Sequence, residues 1–195
     1  MITHSDFSVI LGKQGKGKTY SAIKFLIEQK LKYNYKIITN VKSFNVFSDT
    51  IYMDNILDII NYCKNFKEND ENVIIFFDEI FTILEKQTKI NAEILSFISQ
   101  LRKRKIIFVT TAQEWSEINI TFRRYVRYQI ACNMFSLPFF KTAIIYNIHN
   151  DGDTIKWNND SQDWEAERMF AKLGKGMKSI IESYDTYETI ATKKV

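Results

Sequence analysis

The chain has 195 residues, 45% hydrophobic and 14% aromatic, with a formal net charge of +4. That length suits one compact domain, the composition excludes a disordered chain, and the mild charge permits a nucleic-acid partner without requiring one. The longest apolar run, "VIIFF" at 73–77, is too short to cross a bilayer, and the polar start lacks a signal-peptide pattern, so a soluble intracellular protein is expected. Cys63 and Cys132 lie far apart without metal or redox spacing and read as buried thiols in a reducing compartment.

"FSVIL" (7–11) reads as a short buried strand. Three of the chain's six glycines then fall within Gly12, Lys13, Gln14, Gly15, Lys16, Gly17, Lys18, Thr19 and Tyr20. Glycine costs backbone entropy and is kept where a chain turns sharply or approaches a ligand closely. Gly12, four residues, then Gly17-Lys18-Thr19 fits G-x-x-x-x-G-K-[ST], the phosphate-binding loop. "KTYSAIKFLIEQKLKY" follows as a helix, with Ala22, Ile23, Leu26, Ile27 and Leu31 largely on one face. Strand, loop and helix are the context this motif needs. Backbone N–H groups of the loop and helix start would cradle the phosphates of ATP. Lys18 would reach the β- and γ-phosphates, and the Thr19 hydroxyl would hold Mg²⁺. The plainer alternative, a solvated basic turn, explains neither the spacing nor the context.

Further along, "YKIITNV" (35–41) reads as a second strand and "TIYM" (50–53) as a possible short one. "DNILDIINYCKNF" (54–66) reads as a helix capped by Asp54, and "KENDEN" as a polar turn. "VIIFF" has the continuous apolar character of a parallel strand covered on both faces. "NAEILSFISQLRK" (91–103) is a helix, "KIIFVTTAQ" (105–113) and "YVRYQIAC" (125–132) are strands, and "FFKTAIIYNIHN" (139–150) extends the sheet antiparallel. "DWEAERMFAKLG" and "MKSIIESY" read as short closing helices. Strands alternating with helices imply an α/β fold with a mostly parallel sheet flanked by helices. One domain is expected over 1–195, its core at about 6–132 and a C-terminal extension at about 133–195.

Two further motifs bear on chemistry. The strand "VIIFF" ends in Asp78-Glu79. Asp78 would support the Mg²⁺ held by Thr19, and Glu79 could polarise a water for in-line attack. A helix cap followed by an acidic residue is the bland alternative. The strand at 106–110 runs into Thr111-Ala112-Gln113. Ligands of open α/β sheets sit beyond the carboxyl ends of the strands, so Gln113 is placed to meet the γ-phosphate or the attacking water. A polar strand-end residue in a loop is the less favoured alternative.

Together the three motifs resemble ATPases of the FtsK–HerA branch of P-loop proteins, where a glutamate follows the Walker B aspartate and a glutamine ends the sensor strand. "SQLRKRKIIFVTTAQ" is similar to the arginine–strand–glutamine module of viral genome-packaging ATPases. "YKIITNVKSF" and "YDTYETI" are similar to the Zot-like assembly ATPases of filamentous phages. The resemblance implies a RecA-like core whose sensor strand lies between the Walker A and Walker B strands. It implies catalytic roles for Lys18, Glu79 and Gln113, and for Arg102 as an arginine finger acting in trans, with Arg104 as its substitute. It also implies a homo-oligomeric ring, commonly a hexamer, that threads DNA in the host cytoplasm beside a capsid or portal-vertex protein. Zot-like export would instead need a membrane partner. A nucleotide-dependent switch with little turnover is the alternative from another class.

Lys103, Arg104, Lys105, Arg123, Arg124 and Arg127 could contact DNA phosphates or simply form solvated faces. "GKGMKS" (174–179) imitates a phosphate loop without its ending or its strand. His4 and His149 form no metal pattern, and Trp115, Trp157 and Trp164 suit packing better than base stacking.

Overall fold

The computed structural model describes residues 6–64, 72–80, 91–135, 143–150, 157–158, 163–164 and 167–172, with Ile180, Glu182 and Tyr184. Its strands are β1 (Phe7–Leu11), β2 (Lys36–Thr39), β3 (Ile51–Tyr52), β4 (Val73–Phe77), β5 (Ile106–Ala112), β6 (Val126–Phe135), β7 (Ala143–Asn150), β8 (Trp157–Asn158), β9 (Asp163–Trp164) and β10 (Glu167–Lys172). Its helices are α1 (Lys18–Tyr33), α2 (Ile56–Lys64), α3 (Ala92–Ser99) and the single turn α4 (Ile120–Arg123). Eight strands form one sheet in the order β10-β7-β6-β1-β5-β4-β2-β3. The six from β6 to β3 are parallel. β7 runs antiparallel to β6, and β10 antiparallel to β7. This is the α/β architecture read from the alternation of strands and helices.

Period-two alternation divides the core. Phe7, Val9, Leu11, Val73, Ile75, Phe77, Ile106 and Phe108 pack on the face covered by α2 and α3. Ile10, Ile74, Phe76, Ile107 and Val109 pack on the face covered by α1. Every residue of β1, β4 and β5 is buried, as expected for strands covered on both sides. Each fully buried Ile or Phe contributes about 1.5–3 kcal/mol. The same phase puts Asp78 and Thr111, one residue past Phe77 and near the end of β5, beside the start of α1.

Several elements differ from the sequence reading. Leu31 is 74% exposed. At about 100° per residue it lies half a turn from Ala22, off the packed face. Asn55, not Asp54, caps α2: its Oδ1 accepts the Leu57 N–H at 2.9 Å. α3 stops at Ser99, and residues 100–105 form tight turns that end on Lys105 at φ 55°. The closing helix expected over "DWEAERMFAKLG" is instead β9 and β10. The open edge of β7 offers backbone partners that outweigh local helix preference there. "KENDEN" apart from Asn72, most of "MKSIIESY", "GKGMKS" and His4 lie outside the described residues.

Candidate active site

The loop after β1 owes its shape to glycine. Gly12 has φ 151° and Gly17 φ 85°. A Cβ on Gly12 would stand 2.7 Å from the Cys132 carbonyl oxygen, and one on Gly17 2.8 Å from Ile144 Cδ1. Side chains there would collide with β6 and β7, so those strands form the wall behind the loop. Gly17 also precedes α1, whose first turn begins with Lys18 and Thr19. Within the loop, the Lys16 N–H donates to Lys13 O at 3.2 Å, and Lys18 Nζ reaches the same oxygen at 3.5 Å. The loop is open: Lys13, Gln14 and Gly15 are exposed.

Facing the loop is the end of β4. The Thr19 hydroxyl donates to Asp78 Oδ2 at 2.9 Å, across 59 residues of sequence. Thr111 donates to Asp78 Oδ1 and accepts the Glu79 N–H at 2.9 Å. Asn40, just past β2, holds the backbone of Asp78 at both ends: the Asp78 N–H donates to its Oδ1 at 2.7 Å, and its Nδ2 donates to Asp78 O at 3.0 Å. Burial pushes the Asp78 carboxyl up, while the two threonine hydroxyls and Lys18 pull it down. Glu79 projects into solvent at φ 54°, and its carboxyl is pushed up by partial desolvation and then by the Asp78 charge. A non-glycine residue in that conformation carries strain of about 1–2 kcal/mol.

β5 lies between β1 and β4, and Ala112 pairs with Leu11. Gln113, the next residue, is therefore level with Gly12 and exposed. Lys18, Thr19, Asp78, Glu79 and Gln113 thus share the C-terminal edge of the parallel strands. Among the described residues no cluster of three or more His, Cys, Asp or Glu could hold a metal ion. A cation at Thr19 and Asp78 would have one hydroxyl and one carboxylate from the protein. That sparse all-oxygen donor set, completed by water and substrate phosphates, suits Mg²⁺.

Arg102 stands elsewhere. It sits in the turns before β5, at the opposite end of the sheet, exposed, with Nε 3.4 Å from Asp6 Oδ1. The basic clusters separate by environment. Arg104 bonds Gln100 Oε1 at 3.1 and 3.3 Å and Cys63 O at 3.3 Å, tying α3 to α2. Arg123 donates to Ile118 O at 2.7 Å and Ser116 O at 2.8 Å, with its guanidinium 5.5 Å from the Trp115 ring. Lys103, Lys105 and Arg124 are exposed.

Asn40, Thr111 and Tyr184 escaped the sequence reading, and Cys132, read there only as a buried thiol, lies against the phosphate loop. A polar residue at the end of an apolar strand is the one signal for Asn40 and Thr111. Cys132 is buried against Ser21, and burial pushes its thiol up to about 12. Tyr184 packs in the same cluster as Tyr20, and burial, then the charges of Asp78 and Tyr20, push its phenol up to about 12. No pattern in the sequence links Cys132 or Tyr184 to the loop.

The N-terminal domain of zonular occludens toxin from Neisseria meningitidis is similar in structure, with a TM-score of 0.63 at 14% identity over 91% of this chain and 98% of that one. The genome packaging NTPase B204 from Sulfolobus turreted icosahedral virus 2, in complex with ATP-gammaS, has a TM-score of 0.61 at 15% identity over 84% of this chain and 96% of that one. A KaiC-like protein from Pyrococcus horikoshii OT3 has a TM-score of 0.58 at 14% identity over 88% and 87%. At these identities the likeness shows a RecA-like P-loop fold. No curated protein matches the sequence. Residues 8–134, from β1 to the end region of β6, match the ATPase family associated with various cellular activities (AAA), and this chain belongs to that family.

Proposed function

We propose that this chain is the motor ATPase of a virus, of the FtsK–HerA branch, coupling Mg-ATP hydrolysis to movement of genomic DNA into a capsid. The observation that carries the reading is the assembly of Lys18, Thr19, Asp78, Glu79 and Gln113 on one sheet edge, with β5 between β1 and β4. Likeness to a genome packaging NTPase over 96% of that chain supports the task.

Backbone N–H groups of Gly12 to Tyr20 hold the phosphates, and Lys18 meets the β/γ oxygens. Mg²⁺, when bound, neutralises charge developing on the phosphates. Asp78 and Thr19 hold it, Glu79 takes a proton from the attacking water, and Gln113 orients that water. Subunits form a ring, hexameric by the resemblance, in the host cytoplasm at the capsid vertex. Arg102 lies too far from its own loop and serves the neighbouring subunit's γ-phosphate. Lys103 and Lys105 contact DNA.

A second reading rests on the likeness to the zonular occludens toxin domain: a Zot-like ATPase for filamentous phage assembly at a membrane. Among the described residues no helix is long and apolar enough to cross a membrane. The test is steady-state ATPase with and without DNA over a salt series. Lys18→Ala abolishes hydrolysis, DNA raises the wild-type rate, and affinity for DNA falls steeply with salt. Arg102→Ala mixed with Lys18→Ala regains activity that neither has alone. Slow turnover indifferent to DNA and to assembly would replace the motor with a nucleotide switch.

A further inference from the structure

One residue of β6 meets the phosphate loop at both of its ends. The Cys132 carbonyl oxygen lies so close to Gly12 that a Cβ there would stand 2.7 Å away. The Cys132 side chain reaches α1, with Sγ 3.8 Å from Ser21 Oγ. Ser21 is buried in the first turns of α1, and its hydroxyl lies 2.6 Å from Gly17 O. The Ser21 N–H donates to the same carbonyl oxygen at 3.0 Å. A hydroxyl has one proton and a carbonyl can only accept, so the Ser21 proton goes to Gly17 O and the thiol donates to Ser21 Oγ. Burial pushes the thiol up to about 12, so Cys132 keeps its proton at neutral pH.

We propose that Ser21 is a positioning residue for the phosphate loop, held in turn by Cys132, and that the pair aims the Lys18 N–H at a phosphate of the bound nucleotide. The inference rests on the phosphate-binding reading above and deepens it, because the loop's own sequence pattern specifies neither residue.

Three physical points support it. Gly17 is left-handed at φ 85° and ψ 21°, and no side chain caps the helix there. Glycine moves between backbone wells at little steric cost, so groups outside Gly17 must fix the plane of the peptide that follows it. The carbonyl and the N–H of one trans peptide point in opposite directions. Two donors on Gly17 O therefore turn the Lys18 N–H away from the helix body. A first-turn N–H has no partner within its own helix and is the group an anion meets there. The third point is the origin of the hold. A serine bonded to the carbonyl four residues back ordinarily does no more than bend its helix. Here that carbonyl belongs to the loop, and the hydroxyl is itself held from a strand that also touches Gly12.

The test uses the full chain, a fluorescent ATP analogue as probe and inorganic pyrophosphate as competitor. Pyrophosphate presents phosphates without base or sugar. Ser21→Ala weakens both ligands by about 3- to 10-fold, the scale of one hydrogen bond. Turnover shows the same rise in KM with kcat near wild type, because Asp78, Glu79 and Gln113 are untouched. Ser21→Thr restores affinity, since a threonine hydroxyl in a helix also reaches the carbonyl four residues back. Cys132→Ala weakens binding about twofold, as suits a weak S–H donor, and Cys132→Ser, which keeps a donor, binds like wild type. If Cys132 acts through Ser21, Cys132→Ala adds nothing once Ser21 is alanine. Full additivity of the two losses would make them separate packing residues and overturn the proposal. Unchanged pyrophosphate affinity in folded Ser21→Ala would also overturn it, and would leave the ATPase reading standing. If Ser21→Ala fails to fold by circular dichroism, Cys132→Ala against Cys132→Ser decides, and equal affinities in the two would overturn the pair. Wild type that binds neither probe would overturn the phosphate-loop reading itself, and this inference with it.

Discussion

Thr111, near the end of β5, donates its hydroxyl proton to Oδ1 of Asp78, which lies past the end of the neighbouring strand β4. The Thr111 hydroxyl oxygen in turn accepts the Glu79 N–H at 2.9 Å. One buried hydroxyl therefore fixes both the carboxylate that faces Thr19 and the backbone that presents Glu79. It also lies two residues before Gln113, so a shift at the end of β5 is passed to Asp78 and Glu79 together.

Thr111→Val keeps the shape and removes both bonds. It leaves a partly buried N–H and a buried carboxylate oxygen short of a partner, a cost of about 1–3 kcal/mol. Expressed at the reacting geometry, that is a fall in kcat of about tenfold or more. ATP binding, set by the loop, stays close to wild type, and Thr111→Ser restores turnover. Single-turnover kinetics beside equilibrium binding check this. A mutant that lost affinity and kept its turnover would show that Thr111 serves the loop instead.

Glu79 permits a paired test of strain and function. Glu79→Gln keeps size and cannot act as a base, so ATP binding persists and turnover is lost. Glu79→Gly also loses turnover, yet it relieves the φ of 54°. Set against the entropy that glycine costs, the net gain in stability is about 0.5–1 kcal/mol, a rise in Tm of roughly 1–4 °C for a chain of this size. Thermal melts of the two variants answer directly. A lower Tm for the glycine variant would mean that contacts of Glu79 outweigh its backbone strain.

The loop glycines are unequal. A Cβ at Gly12 meets the Cys132 carbonyl at 2.7 Å, whereas one at Gly15 meets nothing within 4 Å. Gly15→Ala therefore carries only the penalty of its φ of 73°, about 1–2 kcal/mol. Gly12→Ala must also push the loop off β6, and it costs more stability and more nucleotide affinity. Urea unfolding and analogue binding rank the two. Equal losses would show that the loop moves freely against β6.

The legibility of the sequence followed the range of each interaction. The strand–loop–helix around Gly12 to Thr19 was readable because spacing and local backbone demand define it. β4 and β5 were readable because burial on both faces leaves unbroken apolar runs. The wall behind the loop was not readable, since Cys132 and Ile144 meet it only through the sheet order β7-β6-β1. β10 was misread because its pairing with β7 is set by a tertiary edge, which a local helical pattern does not report. The bonds of Arg123 to Ile118 O and Ser116 O were not readable for a related reason: charge is visible in a sequence, and the carbonyls that meet it are not.

Arg123 and the lysines before β5 make the sharpest contrast among the basic residues. The chain passes from the end of β5 to the start of β6 within residues 113–125, through a 3₁₀ turn at Trp115–Glu117 and the single turn α4. Arg123 ties this short crossover together by donating to Ile118 O at 2.7 Å and Ser116 O at 2.8 Å, with Trp115 beside its guanidinium. Charge-assisted bonds contribute about 1.5–3 kcal/mol each, and partial exposure of this pair trims the sum. Arg123→Ala should therefore destabilise the fold by about 2 kcal/mol. The salt dependence of DNA binding by its folded fraction should not change. Lys103→Ala and Lys105→Ala should do the reverse. Both side chains are exposed, so stability for Lys103→Ala stays within about 0.5 kcal/mol. Lys105→Ala keeps the φ of 55° and behaves alike, since neither residue has glycine's freedom there. Each lysine that neutralises one phosphate should lower the slope of log affinity against log salt by about 0.9 when removed. Urea melts and DNA titrations across a salt series measure the two quantities independently. A reduced slope in Arg123→Ala with unchanged stability would return that arginine to the DNA surface and leave the crossover without its clamp.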